Sequence, residues 1–338
     1  MLEYSNWAVL TASFVVVLSL ALSGVALCSV LHLVNAKWRF EVRHLATSLS
    51  ALFPLAFVLL IILLVGAEHT FPWFGHNPAG HGAHMPGWYH PTWLFSREIV
   101  GMIFMMGLYS EFIKRQAVSE RSPEDAASFH SIATWIPFFF VLYSTMIAWD
   151  FEMTLVPAWH SAIYGMQQFV SNFGMFLAFL VVWITLLNRR NKLVRPVSDH
   201  IYNYIAQMLL AFTLLWIYTF YAQYLTIWYG NIPDETTRVM GMQNGDYRFI
   251  WWSVLVLKFV VPFVTFCFPK PRHNVAAINA VAASIIVGTL LERFVWIGGV
   301  NGTGSYPILA AIVVGGVVAT IGYFLVRSRM HSNQLIKG

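Results

Sequence analysis

The chain has 338 residues, of which 58% are hydrophobic and only 10% charged, with a mean hydropathy of +0.64. A soluble domain carries about 25% charged residues, so this composition excludes a chain that covers its surface with water-facing groups. The net charge of +5 is not a nucleic-acid signal, because no basic cluster sits on a foldable soluble unit; no nucleic-acid partner is expected.

A bilayer core about 30 Å thick needs roughly 20 apolar residues per helix. In chain order the sequence predicts spans near 7–33, 43–67, 94–113, 131–149, 161–187, 200–228, 250–268, 275–296 and 306–326. The expected fold is all-α and polytopic, with nine transmembrane helices. Residues 7–33 are apolar over a full span and no small-residue cleavage site follows, so no cleavable signal peptide is expected. Lys37, Arg39 and Arg43 follow span one; Lys114, Arg115 and Arg121 span three; Arg189, Arg190, Lys192 and Arg195 span five; Lys270 and Arg272 span seven; Arg327, Arg329 and Lys337 span nine. The alternate loops carry only Arg97, Arg238 and Arg248. Cytoplasmic loops hold the Lys/Arg excess, which places the amino terminus outside and the carboxyl terminus in the cytoplasm. Two outside loops, 68–93 and 229–249, are rich in turn formers and read as ordered caps.

Cys28 and Cys267 fall inside predicted spans, with no CxxC or CxxCH pattern. Cysteines therefore cannot hold an iron–sulfur cluster or attach a haem covalently. No metal site is expected. The loop histidines His69, His76, His81, His84 and His90 fit no ligand spacing and read as solvated.

Ionisable groups at bilayer depth cost about 2.5–3.5 kcal/mol each on insertion scales, so they mark a protein interior or a pathway. Lys258 sits near the middle of span seven. Glu292 lies in span eight, where Ala276, Ala280, Ser284 and Gly288 recur every fourth residue ahead of it, a small-residue stripe that admits a neighbouring helix. Glu292 should point into the bundle with Arg293 as counter-charge, or the two could form a simple interfacial pair. Asp150 and Glu152 end span four. His160 opens span five, with Ser161, Tyr164, Gln168 and Ser171 following on one face. This stripe reads as a proton inlet, as the head of a quinone pocket, or as groups that satisfy one another and cap two helices. Glu98 lies near the outer end of span three, and Tyr204, Gln207, Tyr218 and Tyr221 share a face of span six. Most of these groups fall in the outer leaflet, as a half-channel would place them. No catalytic residue is expected.

No span carries two histidines about four turns apart, which argues against a di-haem cytochrome b. Nine spans without a counter-ion helix argue against a retinal protein. Pro54, Pro137 and Pro262 interrupt spans without repeat symmetry, so a stand-alone secondary transporter is an alternative reading.

Two stretches resemble a known family. Trp149-Asp150-Phe151, Met153-Thr154-Leu155, Pro157 and Ser161-Ala162-Ile163-Tyr164-Gly165 are similar to the pattern FDWxMSLxPHWxSTIYG. The stretch from Tyr221 to Thr236 (YAQYLTIWYGNIPDET) is similar to FSQYLLIWYxNLPEET, and Lys258-Phe259-Val260-Val261-Pro262-Phe263 falls where the family has HFxxPF. The family is the second, smaller polysulfide-reductase-type (NrfD-like) membrane subunit of alternative complex III, a bacterial quinol:electron-acceptor oxidoreductase. The likeness runs from about residue 90 to 300. It implies two four-helix bundles (about 7–149 and 161–296) and a peripheral helix (about 306–326) in one integral membrane domain over 1–338. It also implies the bacterial cytoplasmic membrane, and as partners an iron–sulfur subunit, multihaem cytochrome c subunits and a larger paralogous membrane subunit. The role implied is structural or proton-conducting, with no redox cofactor of its own; menaquinone or ubiquinone and lipids are the ligands to consider, and a quinone-binding subunit of a related complex is a further alternative. The residues carried into a proton path or quinone cleft are Glu98, Asp150, Glu152, His160, Tyr164, Gln168, Lys258 and Glu292. Family members have ten spans and begin inside, so this chain corresponds to nine of the ten. Val156 stands where the family has Glu and Ala158 where it has His, with Glu152 and His160 as candidate substitutes.

Overall fold

The structure is a computed structural model that describes residues 2–74, 87–299 and 307–337, with side chains from residue 7 onward except Asp234. Three of the loop histidines, His76, His81 and His84, lie outside the described residues. Nine long helices account for the predicted spans among the described residues: α1 (Leu2–Leu33), α2 (Arg39–Val65), α3 (Pro91–Val118), α4 (Pro123–Met153), α5 (Tyr164–Arg189), α6 (Asp199–Gly230), α7 (Arg248–Phe266), α8 (Val275–Gly298) and α9 (Ile308–Ser332). Eight of these are long and apolar enough to cross a membrane. The other, α3, has Arg97 and Glu98 near one end and Glu111, Lys114 and Arg115 near the other, which lowers its mean hydropathy. At 28 residues it is about 42 Å long, enough for a bilayer, and it packs along α4. The chain is an integral, multi-pass, all-α membrane protein.

Local sequence sets the helix ends. Ser122 caps α4 by accepting from the Asp125 amide at 3.1 Å, with Pro123 in the first turn. Asn274 caps α8 by accepting from the Ala276 and Ala277 amides. After α6, Asn231 adopts φ 47°, the left-handed turn that stops a helix, and Pro233 begins a short helix, Pro233–Asn244. The expected cap at 229–249 is therefore helical. In α2 a 3₁₀ turn, Leu49–Leu52, precedes Pro54, whose ring and missing N–H disfavour a regular turn there.

α1–α4 pack together, and so do α5–α8. α1 is apolar on all sides and touches α2, α4, α5, α9 and the end of α8. It approaches α2 so closely at Gly24 that a Cβ there would collide with the Ala46 carbonyl. α9 lies outside, on α1 and α2, with aliphatic side chains such as Ile312 and Val317 facing away.

The basic loops meet on one face. Arg43 pairs with Glu120 at 2.8 Å, Glu41 accepts from the Ser198 amide at 2.8 Å, and residue 194 pairs with 335 through the backbone. Loops after α1, α3 and α5 and the carboxyl terminus are thus neighbours, as the charge alternation predicts.

Candidate functional site: a buried charge network at the end opposite the basic loops

α4 ends in a π-helical turn, Trp149–Met153. At about 100° per residue, positions two apart point to opposite sides of a helix. Asp150 accordingly faces the first bundle and Glu152 the second, and both are fully buried.

On the first side Arg97 clamps Asp150 with two bonds, Nε to Oδ2 at 2.7 Å and Nη2 to Oδ1 at 2.6 Å. Trp88 Nε1 donates to the same carboxylate at 2.7 Å, and the guanidinium lies 4.0 Å over the Trp88 ring. Bidentate geometry of this kind gives buried ion pairs their strength. Glu98 sits beside this clamp, interacting electrostatically with Asp150, Arg97 and Tyr143. It is 0% exposed, and its carboxyl faces that of Asp150 closely enough for the two to share a proton, while no other group bonds it and none bonds the buried Tyr143 hydroxyl among the described residues. Tyr89, outside the spans, has its phenol pushed above its ordinary value by burial and by the Asp150 charge, so it remains protonated.

On the second side the charges form a web. Arg293, 0% exposed, reaches Glu152, Gln168 and Glu292. The Tyr164 hydroxyl donates to Glu152 at 2.6 Å. Lys258 Nζ donates to Glu292 at 2.5 Å and to Ser171 at 2.6 Å, Ser171 donates to Glu292, and Trp216 Nε1 donates to its other oxygen at 2.9 Å. Arg238, from the short helix, covers the site by donating to the carbonyls of Glu152, Met153 and Trp296 while stacking on Trp159 and Trp296. Lys258 lies in a second π-helical turn, Val256–Val260, and Glu292 and Arg293 directly precede a third, Phe294–Gly298. π-turns occur often at functional sites because they re-aim side chains.

Six of the eight candidates come together here: Asp150, Glu152, Tyr164, Gln168, Lys258 and Glu292, with Glu98 adjacent to Asp150. The eighth, His160, is corrected: it is exposed and precedes α5, which begins at Tyr164. A histidine in a loop ahead of the first turn is not bound to the helix face, so its spacing to Tyr164 carries no register. The stripe on α8 is corrected at its near end. Ala276 and Ala280 are exposed, whereas Ser284 and Gly288 face α7, and a Cβ on Gly288 would lie 2.6 Å from Lys258 Cγ. The α6 face bearing Tyr204, Gln207, Tyr218 and Tyr221 points outward; the inward groups of α6 are Thr213, Trp216, Thr219 and Gln223. Glu292 and Arg293 are not a simple interfacial pair, since both are buried and tied to other helices. Cys267 is exposed just past the end of α7.

Sequence reasoning missed Arg97 and Arg238, because each was counted as a loop charge. The signal for Arg97 was its place beside Glu98 within a span. Arg293 was seen, but its central position was not.

A crevice between α6, α7 and α8, lined by Trp216, Phe220, Trp251 and Trp296, reaches Glu292 with about 10 Å³ of free space. That admits about one water molecule and is far below the roughly 300 Å³ of small-molecule pockets. Toward the basic face no further buried Asp, Glu, Lys or Arg follows among the described residues. From Phe173 to Ile184 α5 is apolar, about 18 Å of helix, before Thr185 bonds Asn279 at 2.9 Å.

No protein-family model matches the chain, and no curated protein matches it.

Proposed function

We propose that this chain is a non-redox membrane subunit of a quinol-oxidising electron-transfer complex of the alternative complex III type, seated in a bacterial cytoplasmic membrane with its amino terminus outside. In that reading the buried network is the outer half of a proton route. The observation that carries it is the depth profile: the buried Asp, Glu, Lys and Arg gather within about 15 Å of one face, and α5 beyond them is apolar from Phe173 to Ile184. Such a route ends blind, so it loads and releases protons on one side and does not conduct them freely across.

The chemistry follows from the groups present. Glu98 forms no ion pair of its own and lies against the Asp150 carboxylate, so its carboxyl can take up or give off a proton without breaking an ion pair. Tyr164, Glu152, Glu292, Ser171 and Lys258 can each exchange a proton along an existing hydrogen bond. Arg293 cannot, because a guanidinium keeps its protons. It fixes Glu152 and Glu292 in place and keeps a proton from hopping directly between them. No step is routed through a bound quinone.

The resemblance of the 149–165 and 221–236 stretches names the complex. Extraction of the native membrane in mild detergent tests it: the chain is expected to co-purify with iron–sulfur and haem c subunits. Recovery as a lone, functional monomer would contradict the assignment and favour a stand-alone transporter.

A further inference from the structure

A second feature lies away from the charge network, on the outward face where α3 and α4 meet. A groove of about 490 Å³ is lined by Ile103, Phe104, Gly107, Leu108, Ile132 and Trp135, with Glu111, Arg115 and Ser131 at its other end. Its polarity is ordered. The apolar end is walled by aromatic rings, Phe104 against Phe139 at 4.8 Å and Trp135 against Phe139 at 6.0 Å. The polar end lies toward the basic loops, a few residues from the end of α3, where a bilayer has its headgroups. Gly107 leaves the floor open, since nothing lies within 4 Å of a Cβ built there. A groove that runs from apolar at depth to polar at the interface has the same order as a phospholipid.

The polar end carries one charge of each sign. Arg115 Nε bonds Glu111 Oε1 at 2.8 Å, and both side chains are partly exposed, at 37% and 43%. Arg115 keeps donors on its Nη2 nitrogen, and its Nη1 makes a long 3.4 Å contact with the Ser128 carbonyl. The exposed Ser131 hydroxyl is next to them. A guanidinium and a hydroxyl suit a phosphate. The carboxylate of Glu111, with an oxygen left for a donor, suits a primary ammonium. An anionic headgroup would set its charge against Glu111, and a trimethylammonium cannot donate to it.

We propose that the α3–α4 groove binds one phospholipid with a zwitterionic, primary-ammonium headgroup, phosphatidylethanolamine in chemical class. The phosphate accepts from Arg115 and Ser131, the ammonium donates to Glu111, and an acyl chain lies over Gly107 toward Phe104. This rests on the membrane-embedded fold and not on the proposed function.

Native mass spectrometry of the full chain in detergent, titrated separately with phosphatidylethanolamine, phosphatidylcholine and phosphatidylglycerol, tests it. One phosphatidylethanolamine is expected to be retained about fivefold over each of the others, the ratio that about 1 kcal/mol gives. Glu111→Gln should reduce that preference to near unity, and Arg115→Gln should weaken retention of all three lipids, while some chain-driven binding persists. Both sites are on the surface, and circular dichroism of the variants confirms that they fold. Equal retention of all three lipids, a preference for phosphatidylglycerol, a preference that survives Glu111→Gln, or unchanged retention of all three in Arg115→Gln would overturn the proposal.

Discussion

The two sides of the α4 terminus handle buried charge differently. Toward the first bundle, Asp150 and Arg97 form a closed clamp: one carboxylate, one guanidinium, two parallel bonds and the Trp88 ring over them. Toward the second, Glu152, Arg293, Glu292 and Lys258 share their partners in series. The clamp can be removed nearly whole, because besides Arg97 only the Trp88 indole donates to Asp150 and only Glu98 leans on it electrostatically. A shared web cannot, because every deletion strands a neighbour. The contrast separates a structural fastening from an arrangement in which charge on one member alters the next, which is what a proton route requires.

The largest effect should come from Arg293→Met, which leaves Glu152 without a cation, takes the donor from Gln168 and removes one of the two cations of Glu292. Breaking a buried pair costs about 3–5 kcal/mol, so thermal unfolding in detergent should show a severely destabilised or unfolded chain; near-normal melting would mean the web is not shared. Next is a pair of double substitutions. Asp150→Asn alone should cost about 3 kcal/mol by leaving Arg97 unpaired, yet Asp150→Leu with Arg97→Met should recover most of it, since an apolar replacement of a whole buried pair is often neutral. Lys258→Met with Glu292→Leu should recover much less, because Arg293, Ser171 and Trp216 also lose Glu292. Equal recovery on both sides would erase the distinction. Gly288→Ala follows at about 1–3 kcal/mol, the usual cost of overpacking, as its Cβ would press on Lys258 at 2.6 Å. The smallest effect belongs to Glu98→Gln. With no ion pair to lose, it should change the melting temperature little, and a large loss would show that Glu98 has a structural partner.

Much of this was legible in the sequence. Nine apolar runs and alternating basic loops gave the helix count and the side on which the loops meet, because bilayer thickness fixes helix length and charge marks the loops. Lys258 and Glu292 stood out as ions in apolar helices, where only a protein interior tolerates them. Asp150 and Glu152 were legible as carboxylates at the outer end of span four and read as the head of one stripe; that they face opposite bundles came only from the structure. What could not be read was which charge meets which. Arg97 and Arg238 sit 53 and 86 positions from the Asp150 and Glu152 groups that they touch, and only helix packing brings them there. His160 failed for a local reason: a helical register was extended four residues ahead of the first turn. The outward face of α6 failed because helical periodicity identifies a face and not the direction in which it points.

In the proposed function the buried acids exchange protons on one side of the membrane, and Glu98 is the acid whose replacement disturbs the fold least. Proton release per quinol oxidised, measured with the intact complex in sealed vesicles, should fall in Glu98→Gln while assembly and electron transfer persist. An unchanged proton count in a fully assembled Glu98→Gln complex would contradict the account.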